Sequence, residues 1–196
     1  MCGGSLINNQ WILTAAHCQI PGRTIYANFE QGGENQMTIK SEPVVFKDSS
    51  NRTHDIMLLK LPNPTQVQPV PLPDCNNRPR VNDAVQIAGY GADTVGPDNR
   101  RVPGRANTLQ CAVTTVVDCQ KLRELRPHRL HQHWFCGQRA GVDKSKGDTG
   151  GGVVYKGKIY GVIAFTDDTD FAFQEPAGFV DVCEYIRWIK GVIRRQ

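Results

Sequence analysis

The segment Trp11-Ile12-Leu13-Thr14-Ala15-Ala16-His17-Cys18 runs from an apolar stretch of strand length, through two alanines, into an imidazole and a thiol. A histidine beside a cysteine has a plain structural reading, a packed ring next to a sulfur. It also has a chemical one, a base held at the end of a strand. Outward from this segment the same pattern repeats. Short apolar stretches recur at 5–7, 24–29, 36–39, 44–46, 56–61, 84–88, 109–117, 152–155, 158–165 and 178–182. Many are rich in Val, Ile, Tyr or Phe, whose branched or aromatic side chains suit a pleated sheet. Turn pairs separate them: Asn8-Asn9, Pro21-Gly22, Gly32-Gly33, Pro97-Asp98, Pro103-Gly104 and Lys156-Gly157. Many short strands with little helix predict an all-β chain, an antiparallel barrel or sandwich.

Two helices are predicted within this pattern. Residues 118–125 carry Leu122 and Leu125 three apart and are stopped by Pro127. At the C-terminus Tyr185, Ile186, Ile189, Val192 and Ile193 form an apolar stripe at helical spacing, with Arg187, Lys190, Arg194 and Arg195 mostly off it. The proline-rich stretch 61–73 is the candidate linker between two halves. A length of 196 residues suits one domain, or two small subdomains sharing a core. The composition, 39% hydrophobic and 21% charged, excludes fibrous and wholly disordered classes. No apolar run approaches a membrane span. The formal net charge of +4 is too small to argue for nucleic acid, and it favours an acidic surface or polyanion.

Seven cysteines are many for a reducing compartment, and none sits in a Cys-x-x-Cys pair. Zinc and thioredoxin-type readings lose their usual signature, while wide spacing suggests disulfides and an oxidising compartment. The odd count leaves one thiol unpaired within the chain. Met1-Cys2-Gly3-Gly4 is not a secretory leader, so a start upstream of Met1 is expected.

Two further polar sites stand beside His17. Asp55 opens the apolar strand Asp55-Ile56-Met57-Leu58-Leu59-Lys60-Leu61, where a carboxylate needs a partner. Gly147-Asp148-Thr149-Gly150-Gly151-Gly152 is a tight turn presenting a hydroxyl among backbone N–H groups. Each has a bland reading, a strand cap and a plain loop. Together, a base, an orienting acid and a hydroxyl are the parts of acyl-transfer chemistry.

Cys2-Gly3-Gly4-Ser5-Leu6-Ile7 with 11–18 resembles the histidine motif of the chymotrypsin/trypsin family of serine proteases. Residues 55–61 resemble its aspartate motif and 147–151 its serine motif, in the family's order, and the resemblance runs to Trp188-Ile189-Lys190. It implies two antiparallel six-stranded β-barrels, the first incomplete (1–65), the second mainly 66–182, and a C-terminal helix (183–196). It implies His17 as base, Asp55 as orienting acid and Thr149 in the nucleophile's place, with Gly147 and Thr149 forming the oxyanion hole. It implies disulfides Cys2–Cys18, Cys75–Cys183 and Cys119–Cys136. Cys111 is then the free thiol, either buried and inert or bonded to another chain. Val85 and Tyr155 replace one family bridge. Ser145 replaces a cysteine of the bridge that braces the specificity pocket.

Further departures bear on function. Thr149 adds a β-methyl and a stiff χ1 where the family has Ser. Near-attack geometry tolerates little, since a misplacement of ~1 Å can cost roughly 100-fold. Threonine nucleophiles typically use an N-terminal amine as base, and Thr149 is internal. Asp148 matches the acid that pairs with a newly cleaved N-terminus in the family, and the sequence from Met1 onward is not expected to supply that terminus. In the specificity pocket, Asp143 matches the acid that receives Arg or Lys, but Lys144 adjoins it. Thr166 and Ala177 occupy wall positions that are Gly in trypsin. Ala164-Phe165-Thr166 replaces the Ser-Trp-Gly edge, and Gly152 replaces a Pro.

The expected function is therefore a secreted or granule-stored protease homologue, catalytically inactive, that acts by binding. The alternative is a weakly active trypsin-like endopeptidase using Thr149 on peptide or protein substrates, and a fragment with no settled role is the third reading. Lys121, Arg123, Arg126, His128, Arg129, His131 and His133, with the basic face of the last helix, suggest sulfated glycans or another acidic surface. The bland reading is a solvated charged face. No cofactor is expected. Irregular spacing of His128, His131 and His133 argues against a metal, and a short loop at 32–36 against calcium. Asn51-Arg52-Thr53 is a candidate glycosylation acceptor. No nucleic-acid partner and no transmembrane segment are expected.

Overall fold

The computed structural model describes residues 2–29, 36–91, 105–138, 149–165 and 176–195. In the N-terminal half, β1 (Ser5–Leu6), β2 (Trp11–Thr14), β5 (Val44–Lys47) and β6 (Thr53–Lys60) form an antiparallel sheet in the order β1-β2-β6-β5. Asn8 makes the β1–β2 turn, its Oδ1 accepting the Gln10 and Trp11 amides at 2.9 and 2.8 Å. β3 (Tyr26–Asn28) and β4 (Gln36–Thr38) pair separately. β6 is buried on both faces, and its period-2 alternation divides two cores. Ile56 and Leu58 join Leu13, Ile159, Val162, Tyr185 and Ile189, which links the two halves. Met57 and Leu59 join Leu6, Ile12, Ala27 and Ile39.

In the C-terminal half, β7 (Ala84–Gly91), β8 (Arg105–Val117), β9 (Trp134–Gln138), β10 (Gly152–Tyr155), β11 (Lys158–Phe165) and β12 (Ala177–Asp181) close an antiparallel barrel in the order β10-β11-β12-β9-β8-β7. Val85, Ile87, Val116, Val153, Ile163 and Phe179 pack together as its buried core. The chain is thus mostly β, with one closed six-stranded barrel and, among the described residues, an unclosed N-terminal sheet.

β10 and β11 keep the sequence-predicted bounds. β6 begins at Thr53 rather than at 56, because His54 and Asp55 find buried partners. β9 was not predicted. Its Gly137 is a packing residue, since a Cβ there would lie 2.6 Å from a Phe179 ring carbon.

α1 (Gln120–Leu125) starts later than predicted and is followed by a 3₁₀ turn, Pro127–Arg129. α2 (Val182–Arg194) is N-capped by Asp181, whose carboxylate accepts the Cys183 amide at 3.0 Å. The stretch 61–73 forms no strand or helix, yet it ties the halves: the Val70 amide donates to Leu6 O and Pro71 O accepts from the Ile159 amide.

The structure pairs Cys2 with Cys18, Cys75 with Cys183 and Cys119 with Cys136. Cys111 is exposed on β8 between exposed Leu109 and Val113, so the buried reading of that thiol is corrected. Outward alternation along the strand places all three on the same face.

Candidate functional site

Antiparallel pairing of β2 with β6, with Thr14 opposite Met57, sets the end of one strand beside the start of the other. His17 follows β2 in a 3₁₀ turn, Ala16–Cys18, held by the Cys2–Cys18 bridge. Asp55 lies in the first half of β6 and is only 5% exposed. Its Oδ1 accepts the His17 backbone N–H at 2.9 Å, and its Oδ2 lies 2.7 Å from His17 Nδ1. An ionised carboxylate only accepts, so Nδ1 carries a proton, and in the neutral tautomer that this selects, Nε2 keeps the lone pair. The ring is 45% exposed. The result is an accessible nitrogen base with its tautomer fixed from behind.

Thr149 lies in the turn before β10 and is 6% exposed. Its carbonyl accepts the Gly3 amide at 2.7 Å, and the Gly150 amide donates to Ile163 O at 2.7 Å. Gly150 has φ +87°, and a Cβ there would overlap the Gly3 carbonyl oxygen and the Thr14 hydroxyl. Glycine is required at this position by both dihedral and space. The turn thereby docks on the segment leading to β1, with the carbonyl oxygen of Thr149 3.8 Å from Cys18 Sγ. Among the described residues, no hydrogen bond joins the Thr149 hydroxyl to His17.

Ala164 and Ala177 are buried on β11 and β12, and Phe165 ends β11 opposite Gly178. Asp143, Lys144, Gly147, Asp148 and Thr166 lie outside the described residues. Asn51 is exposed in the β5–β6 turn at φ 60°.

Several site neighbours were not found in the sequence. Gln132 is buried, and its Oε1 accepts the Asp55 amide at 2.8 Å. Arg129 Nη1 lies 3.9 Å from Asp55 Oδ2. Behind Asp55, His54 is buried with Nδ1 2.7 Å from the Tyr185 hydroxyl and Nε2 3.3 Å from Asp48 Oδ2. Burial pushes the Tyr185 phenol up to about 12. The Asp48 carboxylate only accepts, so His54 Nε2 carries the proton; in the neutral ring Nδ1 then accepts from the Tyr185 hydroxyl, which itself accepts the His133 amide at 3.1 Å. Burial holds the His54 imidazole below its ordinary value. Backbone and side-chain hydrogen bonds from Arg52 hold Asp48 well below the usual carboxylate range. The one signal for this cluster was a polar pair, His54-Asp55, at the mouth of an apolar strand.

His131 and His133 face the His54 ring with centroids 5.1 and 6.4 Å away. Among the described residues, no group of three His, Cys, Asp or Glu side chains could hold a metal. No helix among them is long and apolar enough to cross a membrane. Lys121, Arg123, His128, Arg187, Lys190, Arg194 and Arg195 are exposed.

A protein-family model described as "Trypsin" matches residues 1–189. Rat kallikrein-8 is 29% identical over 210 residues, covering 100% of this chain and 78% of that relative. Among solved structures, neuropsin, a serine protease expressed in the limbic system of mouse brain, superposes with a TM-score of 0.79 at 27% identity, over 98% of this chain and 88% of that one. A scabies mite inactivated protease paralogue superposes with a TM-score of 0.76 at 27% identity, over 100% and 88%.

Proposed function

This chain belongs to the trypsin family of serine proteases, and from that premise we propose that it is a secreted homologue that cleaves peptide bonds poorly or not at all and acts by binding. The observation that carries the reading is Thr149, in the serine motif's nucleophile position and 6% exposed. A buried β-methyl in a site shaped for serine displaces the hydroxyl, the carbonyl under attack or the imidazole. A shift of ~1 Å is worth roughly 100-fold. The same fold is carried by a relative whose description is an inactivated protease, so the scaffold is compatible with lost activity. The three disulfides support passage through an oxidising compartment.

In this reading His17 and Asp55 are the retained base and orienting acid. Gly147 and Thr149 flank the oxyanion site, and Asp148 is the activation acid. Asp143, Lys144, Ala164, Phe165, Thr166 and Ala177 stand at positions that correspond in sequence to the family's specificity pocket. Residues 1–65 belong to the first barrel, 66–182 mainly to the second, and 183–196 to the C-terminal helix. Asn51 is the glycan acceptor, and the exposed cations of 121–129 and of α2 form the surface offered to sulfated glycans.

The second reading, a weak endopeptidase with Thr149 as nucleophile, is favoured by the His17–Asp55 contact at 2.7 Å. Turnover of a basic peptide ester separates the two. The binding homologue gives none above a Thr149→Ala control, whereas a rate abolished by that substitution establishes the enzyme. Retention on heparin beyond a charge-matched protein supports the glycan surface, and co-elution with it removes that part.

A further inference from the structure

The geometry points to Arg129 as a positioning residue that weakens His17 as a base by sharing the negative charge of Asp55. This rests on the reading of His17 and Asp55 as the base and its orienting acid. Asp55 Oδ2 faces two nitrogen groups at once: the His17 ring at Nδ1, 2.7 Å away, and the Arg129 guanidinium at Nη1, 3.9 Å away. At 3.9 Å Nη1 makes no hydrogen bond to Oδ2, so its effect on that oxygen is a field. Asp55 is only 5% exposed, which limits the screening of that field, and Arg129 is one-third exposed, so part of it is lost to solvent.

The placement of Arg129 is built by the chain. Pro127 starts a 3₁₀ turn over Pro127–Arg129. The Arg129 amide donates to Arg126 O, and the Gln132 amide donates to Arg129 O. Arg129 ends this turn and Gln132 follows three residues later, and both reach the same residue. Gln132 takes the Asp55 amide at 2.8 Å, and Arg129 approaches its carboxylate. One short loop thus grips Asp55 at backbone and side chain, from a point more than seventy residues along the chain.

A base beside a carboxylate is strengthened because the negative charge favours its protonated form. A guanidinium on the same oxygen cancels part of that preference. Among the described residues, the other titratable groups near Asp55 engage one another. His54 bridges Tyr185 of α2 and Asp48 of the β5–β6 turn, Asp48 is paired with Arg52, and His131 and His133 face the His54 ring. None of them approaches Oδ2 as Arg129 does.

The test is an NMR titration of the His17 ring in the full chain, with signals assigned through His17→Gln. Arg129→Met and Arg129→Gln should move the midpoint up by about half a pH unit, a roughly threefold gain in proton affinity. Arg129→Lys should leave it near the parent. An unchanged midpoint in the neutral variants, or an equal rise in the lysine variant, overturns the proposal. Failure of both neutral variants to fold would assign Arg129 a strut's role and overturn it equally. The titration needs no turnover and stands whether or not Thr149 reacts. Failure of the functional reading would show instead as ester turnover by the parent protein.

Discussion

The Gly3 amide donates a 2.7 Å hydrogen bond to the carbonyl oxygen of Thr149. The segment leading into the first sheet is thereby bonded to the turn that opens the second barrel's β10. The two halves meet at the backbone of Thr149, and Thr14 secures the joint from the other side by donating to Gly3 O at 2.8 Å.

That joint depends on Gly150. Gly150→Ala combines a left-handed dihedral with overlap against Gly3 and Thr14. A loss of about 1–3 kcal/mol is expected from the dihedral alone, with more from the overlap. Urea unfolding measures it, and an unchanged midpoint would mean that the turn does not dock as described.

Thr149→Ser removes the β-methyl and leaves the rest of the cleft as it is. Ala164 and Ala177 stay buried in the barrel strands, and the altered pocket residues stay altered. Little Arg- or Lys-directed cleavage is expected to appear, read as kcat/KM on basic peptide esters. Robust cleavage by this single variant would make Thr149 the only obstacle.

His54 gives a pH dependence with a definite sign. Burial lowers its folded-state affinity for protons below the ordinary value of 6.5. The unfolded chain therefore binds the proton first. The stability this group contributes is present above pH 6.5 and is lost as the pH falls below it. The urea midpoint difference between the parent and His54→Gln should shrink between pH 7.5 and pH 5.5. A difference that stays constant across that window would contradict the buried neutral ring.

Cys111 is exposed, while the other six cysteines are paired. Folded protein should take up one equivalent of a maleimide, abolished by Cys111→Ser. Labelling that appears only after denaturation would place the thiol inside.

Much of this architecture is legible in the residues, for local reasons. β10 and β11 flank the tight Lys156-Gly157 turn, so period and turn chemistry agree. The α2 stripe is set by Tyr185, Ile189 and Val192 at helical spacing. What escapes is non-local. β9 escapes because the Phe179 ring that Gly137 packs against lies about forty residues further along the chain. Arg129 and Gln132 read as members of a polar, basic segment, and nothing in their neighbours announces a contact with Asp55 across the fold. Cys111 reads first as a buried, inert thiol, and only the register of β8 fixes its outward face. His17 and Asp55 are conspicuous because polar groups at the ends of apolar strands need partners, and each is the other's.

The most direct test is active-site titration of purified protein with a fluorophosphonate, followed by mapping of the labelled residue. A hydroxyl that is displaced by its own β-methyl leaves the probe unreacted, and the prediction is no stoichiometric label at Thr149 under conditions that saturate an ordinary serine protease. One equivalent of label on Thr149, lost in Thr149→Ala and in His17→Gln, would contradict it.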